Sequence, residues 1–375
     1  MISAHSLISL KSSINISGAG GAIGYSLLPL IASGYIFQDR PIELRLLEIP
    51  QAIQSLEGTR MELEDCAYPN LVNVVCTTDP LVAFDNADVC ILVGGFPRKQ
   101  GMARKDLIQK NTSIFTSMGR AINNVASSNC KVLVVANPAN TNCLVALKEA
   151  SNNIPTKNFC ALTYLDHQRA KSQIATHIGS AVRSGQIHNV TIWGNHSETQ
   201  YPDALTDGYC LNDNGIKTPL HTLLATEWAN NDFITTVQNR GKSVIEARGA
   251  SSALSAAMAI TNCLKVWLVT GTKEDETISL AVYNDEGYYG VEPGIVFSFP
   301  CTCHNGEWKV KEGLQLSEFA RQKLMVTEKE LLEEWEAAKE LVDNNTSSMK
   351  KSISNMSSMP SLIASESGVS LASKM

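Results

Sequence analysis

The sequence has no long hydrophobic run and no excess of positive charge. None of its apolar stretches reaches the roughly 18 consecutive residues from which a membrane-spanning helix is recognised. Its 31 Lys and Arg residues are outnumbered by 37 Asp and Glu residues, which gives a net charge of −6. An acidic chain has no general attraction for nucleic acid or for an anionic membrane. We therefore expect a globular protein with neither kind of partner, in which a local group of cations captures any anionic ligand.

The sequence also lacks a disulfide framework and a zinc signature, although it contains ten cysteines. The closest pair, Cys301 and Cys303, is accompanied by neither a second pair nor a group of nearby histidines. Cysteines scattered in this way are typical of a reducing compartment, where buried thiols act as small hydrophobic side chains. We therefore expect free thiols and no metal site.

Both ends of the chain lack the patterns of folded elements. Residues 1–12 are rich in Ser without a secretory hydrophobic core, and we predict a peripheral segment there. Residues 344–375 are dominated by Ser, Met and Asn, and we predict a disordered tail because they cannot bury enough apolar surface. The tail ends in Ser373-Lys374-Met375, which is similar to the peroxisomal address Ser-Lys-Leu. We expect a cytoplasmic protein, with a peroxisomal location as the alternative.

Between these ends, short apolar runs alternate with helical patterns. Nearly continuous apolar residues predict strands buried on both faces of a sheet at 14–16, 42–49, 89–93, 132–136 and 160–165. Apolar residues at helical spacing predict helices between them, over 23–31 and 108–122. The alternation predicts an α/β domain with a doubly wound parallel sheet over residues 13–160. The first strand is unusually polar, since Ser13 and Asn15 belong to it.

The second half of the chain has a mixed pattern. We predict helices over residues 166–178, 232–267 and 327–342, and strands over residues 190–193, 278–283 and 295–299. This order is typical of an α+β domain packed on the first, which we place at residues 161–343.

A glycine-rich loop lies between the first predicted strand and the first helix. Gly18, Gly21 and Gly24 form a GxxGxxG variant of the dinucleotide-binding fingerprint, in which glycine permits a tight turn and close approach to a pyrophosphate. On its own, such a loop is equally consistent with a flexible turn. Glu48 ends the second strand, where a carboxylate can bind both ribose hydroxyls and repel a 2′-phosphate. The combination predicts binding of NAD rather than NADP.

Polar residues also follow the later strands. Arg98 and Arg104 lie on a loop with Pro and Gly, and Arg suits bidentate binding of a carboxylate, although a solvated basic loop has the same composition. Asn137 follows another strand, where an amide can bind a substrate oxygen or begin an ordinary turn.

Three further residues suggest acid–base chemistry. Asp166 and Arg169 are spaced i and i+3, so they project from the same side of a predicted helix start. His196 lies on a loop after a predicted strand, which suits a surface histidine equally well. Together they can build a hydride-transfer site in which Asp166 orients His196 while His196 exchanges a hydroxyl proton. We interpret the neighbouring His167 as structural.

In combination, these motifs resemble the cytosolic-type malate dehydrogenases of the lactate/malate dehydrogenase superfamily, from about residue 14 to residue 342. The stretches that carry the resemblance are residues 18–24, 61–67, 98–106, 137–142, 165–169, 193–203 and 251–257. The resemblance implies a Rossmann domain followed by the α+β C-terminal catalytic domain of that superfamily. It also implies a homodimer that uses NAD to oxidise (S)-malate reversibly to oxaloacetate.

The resemblance implies roles for the matching residues. His196 matches the proton acceptor and donor, Asp166 matches its orienting partner, and Arg169 matches the clamp on the C1 carboxylate of the substrate.

The remaining matches lie on the basic loop and near it. Arg104 matches the residue that polarises the reacting carbonyl, and Arg98 matches the residue that meets the second carboxylate. Asn137 matches a substrate-binding amide, and Asn111, on the helix after the loop, matches a cofactor contact.

Four positions depart from the family pattern: Gly20 stands for the usual Ala, Glu48 for Asp, Met118 for a cofactor-contacting Gln, and Tyr164 for Arg. They leave open a nucleotide-binding paralogue with little turnover. A dehydrogenase of another 2-hydroxy acid is the other alternative, and Arg98 argues against it.

Overall fold

The structure of the protein is a computed structural model that describes residues 11–97, 102 and 104–357, apart from the side chains of residues 104 and 343–357. Several predictions therefore lie outside the described residues. They concern the N-terminal segment up to residue 10, Arg98, the side chain of Arg104, and residues 358–375 with the terminal tripeptide.

The first half of the chain alternates strands and helices, as predicted. The elements are β1 (Ser12–Ser17), α1 (Ala22–Ala32), β2 (Ile42–Leu47), α2 (Ile53–Asp65), β3 (Leu71–Thr77), α3 (Pro80–Phe84), β4 (Val89–Leu92), α4 (Arg104–Val125), β5 (Lys131–Val134), α5 (Ala139–Ala150) and β6 (Phe159–Ala161).

The second half mixes helices with short strands. The elements are α6 (Tyr164–Ile178), β7 (Ile187–His188), β8 (Thr191–Trp193), β9 (Tyr201–Asp203), β10 (Tyr209–Leu211), β11 (Lys217–Pro219), α7 (Leu220–Leu223), α8 (Thr226–Asn230), α9 (Asp232–Arg248), α10 (Leu254–Lys265), β12 (Ile278–Tyr283), β13 (Val296–His304), β14 (Glu307–Val310) and α11 (Glu318–Ser357).

Nine strands form one sheet in the order β14-β13-β12-β6-β5-β4-β1-β2-β3. The six strands from β6 to β3 are parallel, and β12, β13 and β14 join antiparallel beside β6. The parallel part has the strand order of the Rossmann fold, which confirms the predicted doubly wound sheet. The sheet continues across the predicted domain boundary at residue 160.

The central strands divide their side chains between two apolar cores. Val89 and Ile91 of β4 belong to the core under α1 and α10, whereas Cys90 and Leu92 belong to the core under α4 and α5. Alternate residues of a strand point to opposite faces, so these strands are apolar throughout because both faces are covered. Among the described residues, no helix has both the length and the apolar character needed to cross a bilayer.

The polar first strand is accommodated by side-chain hydrogen bonds. Asn15 is completely buried, and its Nδ2 donates to the carbonyl oxygens of Arg45 at 3.1 Å and Ala83 at 3.4 Å. The backbone N–H of Ser13 donates to Asp88 Oδ2 at 2.8 Å. A buried donor that has a partner costs far less than an unpaired one, so the amide nitrogen of Asn15 is tolerated in a central strand. The buried Asn15 Oδ1 and Ser13 Oγ have no hydrogen-bond partner among the residues that the structure describes.

A buried carboxylate on β2 is surrounded by donors. Glu43 accepts hydrogen bonds from Lys11 Nζ at 2.6 Å, Arg45 Nε at 2.8 Å and Asn73 Nδ2 at 3.2 Å. Burial alone would raise the pKa of Glu43, but these hydrogen bonds lower that pKa to about 2. A carboxyl whose pKa is lowered by folding stabilises the protein above its unfolded pKa and loses this contribution as the pH falls.

We expect Glu43→Gln to lower the free energy of unfolding at pH 7 by about 2 kcal/mol. The difference between variant and parent should shrink between about pH 4 and about pH 2, because the parent carboxylate becomes protonated there. Denaturant unfolding across this range measures the effect, with the exposed Asp39→Asn as the matched control. A difference that did not change with pH would contradict the explanation.

The single helix predicted over residues 232–267 is wrong, because the structure has two helices there, α9 and α10. Gly249 ends α9 with a φ of +71°, and its N–H donates to the Ile245 carbonyl at 2.8 Å. Glycine adopts this left-handed conformation without steric cost, so it commonly terminates helices. Helix α10 begins at Leu254, and a π-helical turn, Val266–Thr270, follows its last residue.

The last helix, α11, is longer at both ends than predicted. Its backbone is helical through residues 344–357, and disorder of the tail over residues 344–375 stays a prediction. Leu324, Leu331 and Ala338 anchor its apolar face in the two cores. Once packing has stabilised these turns, extending the helix by further residues avoids the cost of a new nucleus.

Candidate active site

The predicted site residues converge at the carboxyl ends of the parallel strands. The glycine loop follows β1, Glu48 follows β2, Gly94 follows β4 and Asn137 follows β5. Because β1 lies between β2 and β4, these strand ends are neighbours. Open α/β sheets bind ligands at this edge, where the strand order reverses.

Two glycines, one in the loop after β1 and one in the first turn of α1, leave no room for a side chain. A Cβ on Gly18, whose φ is +68°, would lie 2.5 Å from Gly94 Cα, and a Cβ on Gly24 would lie 2.4 Å from the Ala19 carbonyl oxygen. The loop therefore turns tightly against the end of β4 and packs closely on the start of α1. Gly21 is the N-cap of α1 and offers no side chain to cap it, so the helix N-terminus presents backbone donors.

The carboxylate of Glu48 reaches the same loop. Its Oε1 accepts a hydrogen bond from the Gly20 N–H at 3.1 Å, and its Oε2 accepts one from the Ile49 N–H at 2.9 Å. A bare glycine cradle at a helix N-terminus suits a pyrophosphate, and an adjacent carboxylate suits ribose hydroxyls. The residues therefore fit a dinucleotide, although Glu48 is longer than the usual Asp.

Asn111, which the family resemblance matches to a cofactor contact, is buried and hydrogen-bonded to the backbone. Its side chain is completely buried, with Oδ1 accepting from the Phe96 N–H at 2.7 Å. Its Nδ2 donates to the carbonyl oxygens of Phe96 at 3.1 Å and Asn137 at 3.0 Å. The amide thus joins the chain after β4 to the chain after β5. A direct cofactor contact stays a prediction.

The acidic, basic and imidazole residues come together as predicted. Asp166 is fully buried at the start of α6, and its Oδ2 is hydrogen-bonded to His196 Nδ1. Its Oδ1 accepts from Arg169 Nη1 at 3.0 Å. The side chains of His196 and Arg169 keep 20% and 14% of their surface exposed, so both stay partly accessible to solvent beside a buried anion.

The charge state of Asp166 follows from its partners. Burial works to raise the pKa of this carboxyl, but the Coulombic interaction and hydrogen bond with His196, together with those of Arg169, lower the pKa overall. Asp166 is therefore an anion at neutral pH. An anion on Nδ1 fixes which ring nitrogen of His196 faces outward, and it stabilises a protonated ring.

His167 is structural, in agreement with the sequence interpretation. It lies on the opposite side of α6 with 2% of its surface exposed, and its Nδ1 is 3.1 Å from Ser279 Oγ. Burial, reinforced by the positive charge of Lys171, lowers the pKa of His167 to about 3. The ring is neutral and belongs to the core.

Two residues near the site were not singled out from the sequence. Ser252 Oγ accepts from Arg169 Nη2 at 3.2 Å, which holds the second arm of the guanidinium. Asn140 Oδ1 accepts from the His196 N–H at 3.0 Å. Both lie in stretches that carry the family resemblance, but only the tertiary contacts reveal what they hold.

The remaining predicted residues are placed only in part. Asn137 is exposed three residues after the end of β5, on the same edge of the sheet as the glycine loop. Arg104 begins α4, so its backbone is anchored next to the basic loop. Within the described part of the chain, no group of His, Cys, Asp and Glu could hold a metal ion.

Two family models match the chain nearly end to end. The model described as lactate/malate dehydrogenase, NAD binding domain, matches residues 12–160. The model described as lactate/malate dehydrogenase, alpha/beta C-terminal domain, matches residues 163–342.

Individual relatives agree with these matches. A cytoplasmic malate dehydrogenase of Zea mays is 48% identical over 326 residues, which covers 85% of this chain and 95% of the relative. The crystal structure of malate dehydrogenase from Naegleria fowleri is 40% identical with a TM-score of 0.82, covering 88% of this chain and 98% of that chain. Trichomonas vaginalis lactate dehydrogenase in complex with NADH and oxamate is 38% identical with a TM-score of 0.84, covering 89% and 99%. The chain therefore belongs to the lactate/malate dehydrogenase family.

Proposed function

We propose that this protein is an NAD-dependent malate dehydrogenase, which catalyses (S)-malate + NAD → oxaloacetate + NADH + proton. The observation that carries the proposal is the buried Asp166 carboxylate shared between His196 and Arg169, beside a strand edge that fits a dinucleotide. The 48% identity to cytoplasmic malate dehydrogenases supports the choice of substrate.

His196 and Asp166 are the proposed proton-transfer pair. His196 Nδ1 is engaged by Asp166, so Nε2 is the atom that takes the proton of the substrate hydroxyl. The buried anion then stabilises the imidazolium until the proton is released. In the reverse direction the same nitrogen returns the proton to the developing alkoxide.

Four other residues are proposed to hold the substrate. Arg169, fixed by Asp166 and Ser252, clamps the C1 carboxylate with its guanidinium. By the family resemblance, Arg98 pairs with the second carboxylate, Arg104 polarises the reacting carbonyl, and Asn137 donates to a substrate oxygen.

Residues at the carboxyl ends of the strands are proposed to bind the cofactor. When bound, NAD accepts the C2 hydrogen of malate as a hydride. Gly18, Gly21 and Gly24 are proposed to cradle its pyrophosphate, and Glu48 its ribose, where the negative charge would repel the 2′-phosphate of NADP. Asn111 supports this site by joining the strand ends, and the family resemblance also assigns it a contact with the cofactor.

A dehydrogenase of another 2-hydroxy acid is the second candidate. The observation in its favour is the similarity to Trichomonas vaginalis lactate dehydrogenase, whose TM-score of 0.84 is as high as that of the malate enzyme. A guanidinium at position 98 favours a dicarboxylate over lactate, because it has no anion to pair with in a monocarboxylate complex.

Steady-state assays of NADH oxidation with oxaloacetate and with pyruvate test these candidates. We expect kcat/KM for oxaloacetate to exceed that for pyruvate at least about 10²-fold, and NADH to be preferred over NADPH. A preference for pyruvate would select the second candidate. NADH binding, measured by fluorescence, without turnover of either acid would identify a nucleotide-binding paralogue and refute both.

The chain is proposed to have two domains. Residues 13–160 serve as the nucleotide-binding domain and residues 161–343 as the catalytic domain. A homodimer is supported by the exposed apolar side chains Tyr25, Met61 and Leu254 on helices α1, α2 and α10, because α1 packs against both of the others. A cytoplasmic location is supported by the names of the plant relatives.

A further inference from the structure

The loop that carries His196 is held by side chains from two helices distant in sequence. Asn140, at the start of α5, donates from Nδ2 to the Gly194 carbonyl at 3.2 Å and accepts at Oδ1 from the His196 N–H at 3.0 Å. Thr327 Oγ1, on α11, accepts from the Asn195 N–H at 2.8 Å. The peptide group between Gly194 and Asn195 is thus held at its carbonyl by α5 and at its N–H by α11. The next peptide group is held by α5 at the His196 N–H.

The contact with α11 is close enough to dictate the residue at position 194. A Cβ on Gly194, whose φ is +89°, would lie 2.1 Å from Thr327 Cγ2 and 2.3 Å from Thr327 Oγ1. Thr327 is completely buried and fills the space that any other residue at position 194 would need. The glycine before Asn195 is therefore explained by the helix that packs on it.

Carboxylates on the same face of α11 extend the contact. Asn195 Nδ2 donates to Glu330 Oε2 at 2.9 Å and to Glu334 Oε1 at 2.8 Å. Glu330 Oε2 also accepts from Thr199 Oγ1 at 2.5 Å and from Ser197 Oγ. Residues 327, 330 and 334 recur at helical spacing, so one stripe of α11 binds the loop before and after His196.

The same stripe of α11 also contacts the segment that carries Asn137, the predicted substrate-binding amide. Glu334 accepts from Thr141 Oγ1, and Thr141 is the neighbour of Asn140 on the first turn of α5. That turn follows directly on Asn137. Through Glu334 and Asn140, the segments that carry Asn137 and His196 are therefore joined to a common support.

We propose that Thr327 and Glu330 of α11, acting with Asn140, are positioning residues that set the place of the His196 ring. They act through the peptide groups of residues 194–196 and through Asn195. This inference rests on the proposed function, because positioning matters for catalysis only if His196 transfers the proton. A displacement of about 1 Å in such a group is enough to reduce turnover strongly.

The sharpest test is Thr327→Val. Valine keeps the branched shape but replaces the accepting oxygen with a methyl group, which cannot sit 2.8 Å from the Asn195 nitrogen. We expect kcat for oxaloacetate reduction, per NADH-binding site, to fall about tenfold or more. The dissociation constant of NADH should stay within about twofold of the parent value, because the glycine loop is untouched. Thr327→Ser, which retains the hydroxyl, should recover most of the lost kcat.

A second pair of variants tests the carboxylate. Glu330→Ala removes the acceptor shared by Asn195, Ser197 and Thr199, and should lower kcat in the same way. Glu333→Ala is the matched control, since that side chain lies on the same helix with 69% of its surface exposed.

The outcomes separate positioning from mere stabilisation. If Thr327→Val and Glu330→Ala lower the melting temperature but keep the parental kcat per NADH-binding site, the inference is overturned. A parent protein that does not reduce oxaloacetate would instead refute the proposed function. A crystal structure of Thr327→Val decides the geometry in either case, because residues 194–196 must move for the inference to hold.

Discussion

Replacing His196 with Asn is expected to lower kcat for oxaloacetate reduction by about 10²–10⁴-fold. Asparagine can keep a hydrogen bond to Asp166, but its amide does not exchange a proton with the substrate at neutral pH. The expected loss corresponds to about 3–5 kcal/mol of transition-state stabilisation. NADH binding should change little, since the cradle formed by Gly18, Gly21 and Gly24 belongs to a different segment. Steady-state kinetics and NADH fluorescence measure the two effects separately.

The control for this variant is His221→Asn, which changes an exposed histidine on α7 in the same way. Its kcat should equal that of the parent. A His196→Asn protein that kept more than about a tenth of the parental kcat would contradict the assigned proton transfer, since general acid–base catalysis contributes at least 10²-fold in typical cases.

Replacing Arg98 with Gln is expected to change which acid the enzyme prefers. With the guanidinium gone, the second carboxylate of bound oxaloacetate has no cationic partner, a loss of about 3–5 kcal/mol. The corresponding fall in kcat/KM for oxaloacetate is on the order of 10³-fold. Pyruvate has no second carboxylate, so its kcat/KM should be retained or improved. The ratio of the two kcat/KM values is the quantity to measure.

Arg183→Gln is the matched control for this change. Arg183 is an exposed guanidinium that pairs with Asp213 on the surface, and its loss should leave the ratio of oxaloacetate to pyruvate unaltered. If Arg98→Gln likewise left the ratio unaltered, the specificity role of Arg98 would be refuted, although the roles of His196 and Asp166 would stand.

The features that could be predicted are those expressed in local sequence. The parallel strands were recognised because strands covered on both faces are apolar at consecutive positions, as β4 and β5 are. Asp166 and Arg169 were placed together because a helix brings residues i and i+3 to one side. The glycine loop was recognised because backbone crowding at Gly18 and Gly24 excludes side chains.

The features that could not be predicted depend on tertiary contacts. The edge strand β3 is half exposed and its apolar residues are interrupted by Asn73, so no strand is predicted there from the sequence. The polar Asn15 is unusual for a central strand. The sequence does not reveal its carbonyl partners, on Arg45 and Ala83, because they are far away along the chain. The family resemblance assigns Asn111 a cofactor contact, but nothing in the local sequence indicates that its amide is also hydrogen-bonded to two backbone segments.

The contacts of α11 were invisible for the same reason. Thr327, Glu330 and Glu334 read as part of an ordinary charged helix, since nothing near them in sequence indicates which loop they meet. Their partners lie more than a hundred residues earlier in the chain. Nothing in the local sequence indicates why position 194 must be glycine, because the atoms that exclude a side chain there are the methyl and hydroxyl of Thr327.

The packing of Thr327 against Gly194 has a consequence for how the enzyme matures on the ribosome. The nucleotide-binding half is synthesised first and can begin to fold while the remainder is still being translated. The loop around His196, however, receives its support from a segment that is synthesised more than a hundred residues later. A nascent chain, or a product of premature termination before α11, would therefore carry every proton-transfer residue and still lack the surface that shapes their loop.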